Sequence, residues 1–180
     1  MGRLLYSCTM SLDGFIAGPG GDMSWLTSHL GPNPIVDRLV PRIGALLVGN
    51  RTFGGDDPHR GTEGEGKAFG GGWEGPQFVL AHRPQGRSVP GVTFVTDLRQ
   101  AVDEAKAAAG EKYVNVLGAR TAHGCVEAGL LDEILVFVAP VLLGDGVRLF
   151  EHPGGTNVRL ERMDVGQTPQ ATSMWFRVVR

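Results

Sequence analysis

Short apolar runs, separated by three helical patterns, set the plan of this chain. Leu4 to Met10 is rich in β-formers and reads as a first strand. Ala45-Leu46-Leu47-Val48 is continuously apolar, as a central strand covered on both faces should be. Phe78 to Ala81 and Val92 to Thr96 read as two further strands. Between the first two runs, Ile35, Val36, Leu39, Val40 and Ile43 share one helical face. Asn33 suits the cap of that helix and Pro34 its first position, while Pro41 predicts a break. Leu98 to Ala109 is the clearest helix, with Leu98, Ala101, Val102 and Ala105 as its buried stripe. Asp97 caps it, Gln100 completes a capping-box-like pair, and Gly110 ends it. Tyr113 to Leu117 is a buried strand, Gly118-Ala119 a small-residue turn, and Thr121 and Gly129 the start and stop of the next helix. Glu133 to Leu143 is an apolar strand interrupted at Pro140. Val158 to Val165 and Ala171 to Val179 alternate as an antiparallel edge pair. The order implies an α/β fold: one domain over residues 1–180, a mostly parallel central sheet with helices on both faces, and an antiparallel C-terminal edge.

Composition narrows the function. The chain has 180 residues, 42% hydrophobic, and a formal net charge of -2. That gives no electrostatic footprint for nucleic acid. No apolar run has the length to span a bilayer, and Met1-Gly2-Arg3 leads straight into a strand pattern rather than a signal peptide. Cys8 and Cys125 sit in apolar context and read as buried free thiols, which points to the cytoplasm. The five histidines are far apart in sequence and none pairs with a cysteine at ligand spacing, so no metal site is expected. The zinc-deaminase pattern is absent, which argues against a pyrimidine deaminase.

Three strand ends carry candidate chemistry, because ligands of open α/β sheets bind at the carboxyl ends of strands. After Val48, Gly49 gives a turn, Arg51 a cationic fork and Thr52 a hydroxyl. After Ala81 come His82 and Arg83. After Leu117, the run Gly118-Ala119-Arg120-Thr121 offers backbone N–H groups, a hydroxyl and a guanidinium at a helix start, a place for an anion. One dinucleotide could span all three. Gly54 to Gly75, with nine glycines in twenty-two residues, has the size of a substrate loop. Trp25, Phe53 and Trp73 are candidate stacking surfaces or core residues.

Five runs occur in order: Ser11-Leu12-Asp13-Gly14-Phe15-Ile16-Ala17; Gly49-x-Arg51-Thr52-Phe53; His82-Arg83-Pro84; Val116-Leu117-Gly118-Ala119; and Ala139-Pro140-Val141-Leu142-Leu143-Gly144-x-Gly146-x-x-Leu149-Phe150. Together they resemble the dihydrofolate-reductase-like superfamily. More closely, they resemble stand-alone relatives of the C-terminal reductase domain of the bifunctional riboflavin-biosynthesis deaminase–reductase. The resemblance implies an NADPH-dependent reductase of a pteridine- or aminopyrimidine-like heterocycle, such as 5-amino-6-(5-phosphoribosylamino)uracil or dihydrofolate. It also implies a homodimer. It places Arg51, Thr52, His82 and Arg83 near the adenosine 2′-phosphate and Gly118 to Thr121 at the pyrophosphate. Ile16, Ala17 and the Gly18–Trp25 loop would border the nicotinamide. Asp13 reads as structural, bonding its own turn. Two departures stand out. Ala119 replaces the second of two glycines that the family usually joins by a cis peptide. The only acid at the start of the first helix, where folate-reducing enzymes hold the pterin, is Asp37. A non-catalytic nucleotide-binding module of the same fold is the alternative.

Overall fold

A computed structural model describes residues 2–83 and 88–180; Met1 and Pro84, both used in the sequence reading, lie outside them. The strands are β1 (Leu4–Ser11), β2 (Phe15–Ala17), β3 (Ile43–Gly49), β4 (Gln77–Leu80), β5 (Val92–Val95), β6 (Tyr113–Leu117), β7 (Glu133–Ala139), β8 (Val147–Arg148), β9 (Leu160–Gln167) and β10 (Thr172–Val178). The helices are α1 (Pro34–Leu39), α2 (Asn50–Phe53), α3 (Leu98–Ala109) and α4 (Ala119–Glu127). Eight strands form one sheet in the order β5-β4-β3-β6-β1-β7-β10-β9, and β2 and β8 form a separate ribbon. Pairing is parallel from β5 through β7 and antiparallel at β10 and β9. This is the α/β plan expected from the sequence, with an antiparallel C-terminal edge.

Alternation along each strand sorts the core into two layers. Leu4, Tyr6, Ala45, Leu47, Val114, Val116, Ile134 and Val136 face one side, where Ala101, Val102 and Ala105 of α3 and Ala122 and Cys125 of α4 cover them. Leu5, Leu46, Val48, Leu135 and Phe137 face the other, under Ile35 and Leu39 of α1 and the rings of Trp73 and Trp175. Both faces are therefore dry, which is why the central strands are apolar at consecutive positions.

The local signals act as the sequence suggested in most places. The Asn33 side chain accepts from Ile35 N–H, and α1 tightens into a 3-10 turn at Val40–Arg42, across Pro41. Asp97 accepts from Gln100 N–H, and Gly110 adopts φ 63 at the end of α3. Three expectations need correction. The Gln100 side chain donates to Glu104 rather than back to the cap, because Glu104 lies one turn on along the same helix face. Thr121 caps nothing: α4 starts at Ala119 behind Gly118, and Thr121 is buried inside it. Cys8 is only partly buried, while Cys125 is fully so. Trp73 belongs to the core, its indole N–H donating to the Ile43 carbonyl at 3.0 Å.

That indole pins the end of the glycine-rich 54–75 segment to β3. Asp57 holds the segment's middle, accepting from His59 N–H at 2.8 Å and Gly66 N–H at 2.6 Å.

A polar clamp closes the opposite, amino end of the sheet. Glu133 is 1% exposed. Its carboxylate accepts from Trp175 Nε1 at 2.9 Å, Tyr113 Oη at 3.0 Å and Arg3 at 2.8 Å. It thereby ties β7 to β10, to β6 and to the chain just before β1.

Candidate active-site cleft

The sheet order decides where the three suggestive strand ends go. β4, β3 and β6 are adjacent and parallel, so their carboxyl ends share one edge of the sheet. Two of these ends interlock through glycine. A side chain on Gly118 would come within 2.5 Å of Thr52 Oγ1, and one on Gly49 within 2.7 Å of Thr121 Oγ1. Each turn thus packs a hydroxyl-bearing residue against the glycine of the other, and Gly118 holds φ 106, a conformation L side chains rarely adopt.

An open cleft of about 320 Å³ lies over this junction, within the usual range for small-ligand sites. Arg51 from α2 and Ala119, Arg120 and His123 from α4 form one wall. Gly146, Val147, Arg148, Leu149 and Glu151 form the other. Three cationic or potentially cationic groups from the first wall meet the start of α4, a helix of nine residues. The first backbone bond of α4 runs from Ala122 N–H to Gly118 O, so the N–H groups before it are free of helical partners. Arg51 and Arg120 are both exposed, so their guanidinium groups are free to meet an anion. Two guanidinium groups and a helix N-terminus are a donor set that fits a phosphate or pyrophosphate. The Gly118–Ala119 bond is trans, like the others among the described residues. Ala119 lines the cleft wall.

The second wall is held by the β2–β8 ribbon. Phe15 and Ala17 pair with Arg148 and Val147, and the Arg148 guanidinium sits 4.5 Å above the Phe15 ring. Ala17 pairs with Val147 of this wall, but neither Ile16 nor Ala17 lines the cleft itself. Asp13 fixes this arrangement. It accepts from Ser11 Oγ at 2.6 Å, Gly144 N–H at 2.7 Å and Leu143 N–H at 3.1 Å. It bonds its own turn, as expected, and also a turn 130 residues on. The Ser11 hydroxyl first, then the two backbone N–H groups, hold its carboxyl down at about 2. A carboxylate with a depressed value adds stability above its unfolded value near pH 4, and this is lost as pH falls toward 2. Asp13→Asn should therefore melt below the wild type at neutral pH, and the gap should shrink between about pH 4 and pH 2. A gap that stays constant over that range contradicts this role.

The remaining sequence candidates fall elsewhere. His82 and Arg83 are exposed beyond the end of β4, the strand next to β3, and are not part of the cleft wall. Leu117 is the half-buried last residue of β6. Phe53 packs edge-on against Phe94 at 5.8 Å, on the far layer of the core. Trp25 is half-buried beside His29 at 6.1 Å. Neither ring lines the cleft. Asp37 is exposed in a separate hollow of about 290 Å³ with Val36, Val40, Pro41, Phe69 and Gly72, sharing no residue with the cleft.

Sequence reasoning missed the Val147–Glu151 wall, although the Leu-Leu-Gly-x-Gly run that positions it was legible. It also treated the histidines as scattered. His123 and His152 are in fact in contact, with ring centroids 5.7 Å apart. Their partner Glu127 stands four residues after His123 on α4, a spacing visible in the sequence.

The RibD C-terminal domain family matches residues 3–173. The chain belongs to that family. Curated protein sequences return no match. Among solved structures, a Shewanella sp. PV-4 protein assigned to riboflavin biosynthesis is 24% identical over 99% of both chains, with TM-score 0.74. The Thermotoga maritima diaminohydroxyphosphoribosylaminopyrimidine deaminase/5-amino-6-(5-phosphoribosylamino)uracil reductase is 17% identical, with TM-score 0.69; the match covers 99% of this chain and 57% of that one. Enterococcus faecalis dihydrofolate reductase, complexed with NADP(H), is 15% identical over 98% of this chain and 96% of that one, with TM-score 0.61. These likenesses show a dihydrofolate-reductase-like fold for this RibD C-terminal domain. Among the described residues no helix is long and apolar enough to cross a membrane.

Proposed function

We propose that this RibD C-terminal domain is an NADPH-dependent reductase of a pteridine- or aminopyrimidine-like heterocycle. The observation that carries the reading is the cleft at the ends of β3 and β6, where Arg51, Arg120 and the free N–H groups of α4 converge. Arg120 and the start of α4 hold the pyrophosphate. Arg51 and Thr52 hold the adenosine 2′-phosphate, and His82 and Arg83 reach it from the adjacent strand end. NADPH, when bound, would supply a hydride to a C=N-type bond of the substrate, with a nearby acid or water supplying the proton. Ile16 and Ala17, on the β2–β8 ribbon, orient the nicotinamide and exclude water from it.

Steady-state assays with dihydropteridines and 5-aminopyrimidine ribosides test the activity. NADPH oxidation that depends on one of them is the expected result. Saturable NADPH binding without turnover on any of them supports the second reading, a nucleotide-binding module without catalysis. That reading is favoured by the position of Asp37, outside the cleft.

We further propose that two copies pair through β9. Among the described residues this strand is an unpaired sheet edge, and it exposes Leu160, Met163 and Val165. Sedimentation equilibrium should give a dimer for the wild type and a monomer for Val165→Lys; a monomeric wild type contradicts the pairing.

A further inference from the structure

We propose that His123, Glu127 and His152 form a binding site for one late first-row divalent cation, with Zn²⁺ as its natural probe. His123 and Glu127 lie one turn apart on α4, and His152, after β8, crosses to meet them. His123 Nε2 and His152 Nδ1 each stand 3.6 Å from the same oxygen, Glu127 Oε1. The two nitrogens are 3.5 Å apart. The three ligand atoms thus form a nearly equilateral triangle.

Those edges decide between two accounts of the cluster. The two N···O edges are too long for hydrogen bonds, which lie at about 2.7–3.2 Å, and the 3.5 Å N···N edge is at most a weak one. Each ring nitrogen also carries at most one proton, so hydrogen bonds could serve at most two of the three edges. A shared cation would serve all three edges at once. The centre of a triangle with edges of about 3.6 Å is about 2.1 Å from each corner, and Zn–N and Zn–O bonds are about 2.0–2.2 Å. A cation near that centre meets all three atoms with little movement and keeps a further position open for water or another ligand.

The donor set sets the class. Two imidazole nitrogens and one carboxylate oxygen suit Zn²⁺ and its neighbours, whereas Mg²⁺ and Ca²⁺ favour oxygen alone. Cysteine does not compete, because neither Cys8 nor Cys125 belongs to the cluster. His123 also lines the nucleotide cleft. A bound cation would tie the Val147–His152 segment to α4 and so join the two cleft walls. It stands independently of the reductase reading, since no nucleotide is needed to form it.

Titration calorimetry of untagged, chelator-stripped protein with Zn²⁺ alone tests the site. The expected result is one saturable equivalent with micromolar or tighter affinity, unaffected by excess Mg²⁺. His123→Ala and His152→Ala should each weaken binding by at least about tenfold, Glu127→Gln should weaken it less, and His29→Ala should leave it unchanged. A Zn²⁺-dependent rise in the thermal midpoint, absent from the His123→Ala/His152→Ala double variant, checks that the variants are folded and that the native state binds. No saturable binding to the wild type, or binding retained in the folded double variant, overturns the proposal.

Discussion

Glu133→Ala should lower stability by about 3–5 kcal/mol, the cost of breaking a buried charged network by removing one partner. Glu133 is 1% exposed, and its carboxylate serves three donors on three separate parts of the chain. Alanine leaves the Trp175 indole N–H and the Tyr113 hydroxyl without an acceptor, and each such group costs about 1–3 kcal/mol. The Arg3 partner contributes little, because its side chain is 58% exposed and solvent screens the pair. The expected order of thermal midpoints is therefore wild type, then Arg3→Ala close to it, then Glu133→Gln, then Glu133→Ala lower by about 10 °C. Arg3→Ala as damaging as Glu133→Ala would contradict the account, since it would make the exposed ion pair rather than the buried acceptor the stabilising element.

Gly118→Ala is the second large effect, and it joins stability to function. The residue holds φ 106, which an alanine adopts only with strain of about 1–3 kcal/mol. Its added methyl also meets Thr52 Oγ1 at 2.5 Å, so either β3 and β6 part at their ends or Thr52 turns away. Stability should fall by about 2–4 kcal/mol, and NADPH affinity by at least about tenfold as the start of α4 moves from Arg51. Adding Thr52→Ala removes the hydroxyl but not the backbone strain, so the double variant should recover part of the lost stability. Full recovery would mean that φ at Gly118 is unimportant. No recovery would mean that the two turns do not interlock.

These two sites were unequally legible in the sequence. The elements with local punctuation came out with their boundaries: Asp97 and Gly110 bracket α3, and Tyr113–Leu117 is apolar between polar and glycine flanks. Thr121 misled because its hydroxyl-bearing side chain resembles a cap, while its actual job is to fill the space left by Gly49, seventy-two residues earlier. Glu133 gave no signal beyond its place at the start of a strand, because its partners come from Arg3, Tyr113 and Trp175. The cleft residues Arg51, Ala119 and Arg120 were readable, since each follows closely on a strand whose neighbours the sheet order then supplies. The β2–β8 wall and the His123–His152 contact were not, since both pair segments about 30 to more than 100 residues apart and leave no periodic trace.

Titration of the purified protein with NADPH and with NADH, alongside Arg51→Ala, tests the central claim most directly. The account predicts saturable binding that favours NADPH by at least about tenfold, as expected when a guanidinium contacts the extra phosphate. Arg51→Ala should lose that preference while keeping its affinity for NADH. Equal affinity for the two nucleotides, or no saturation by either at millimolar concentration, would contradict the claim that the ends of β3 and β6 hold NADPH.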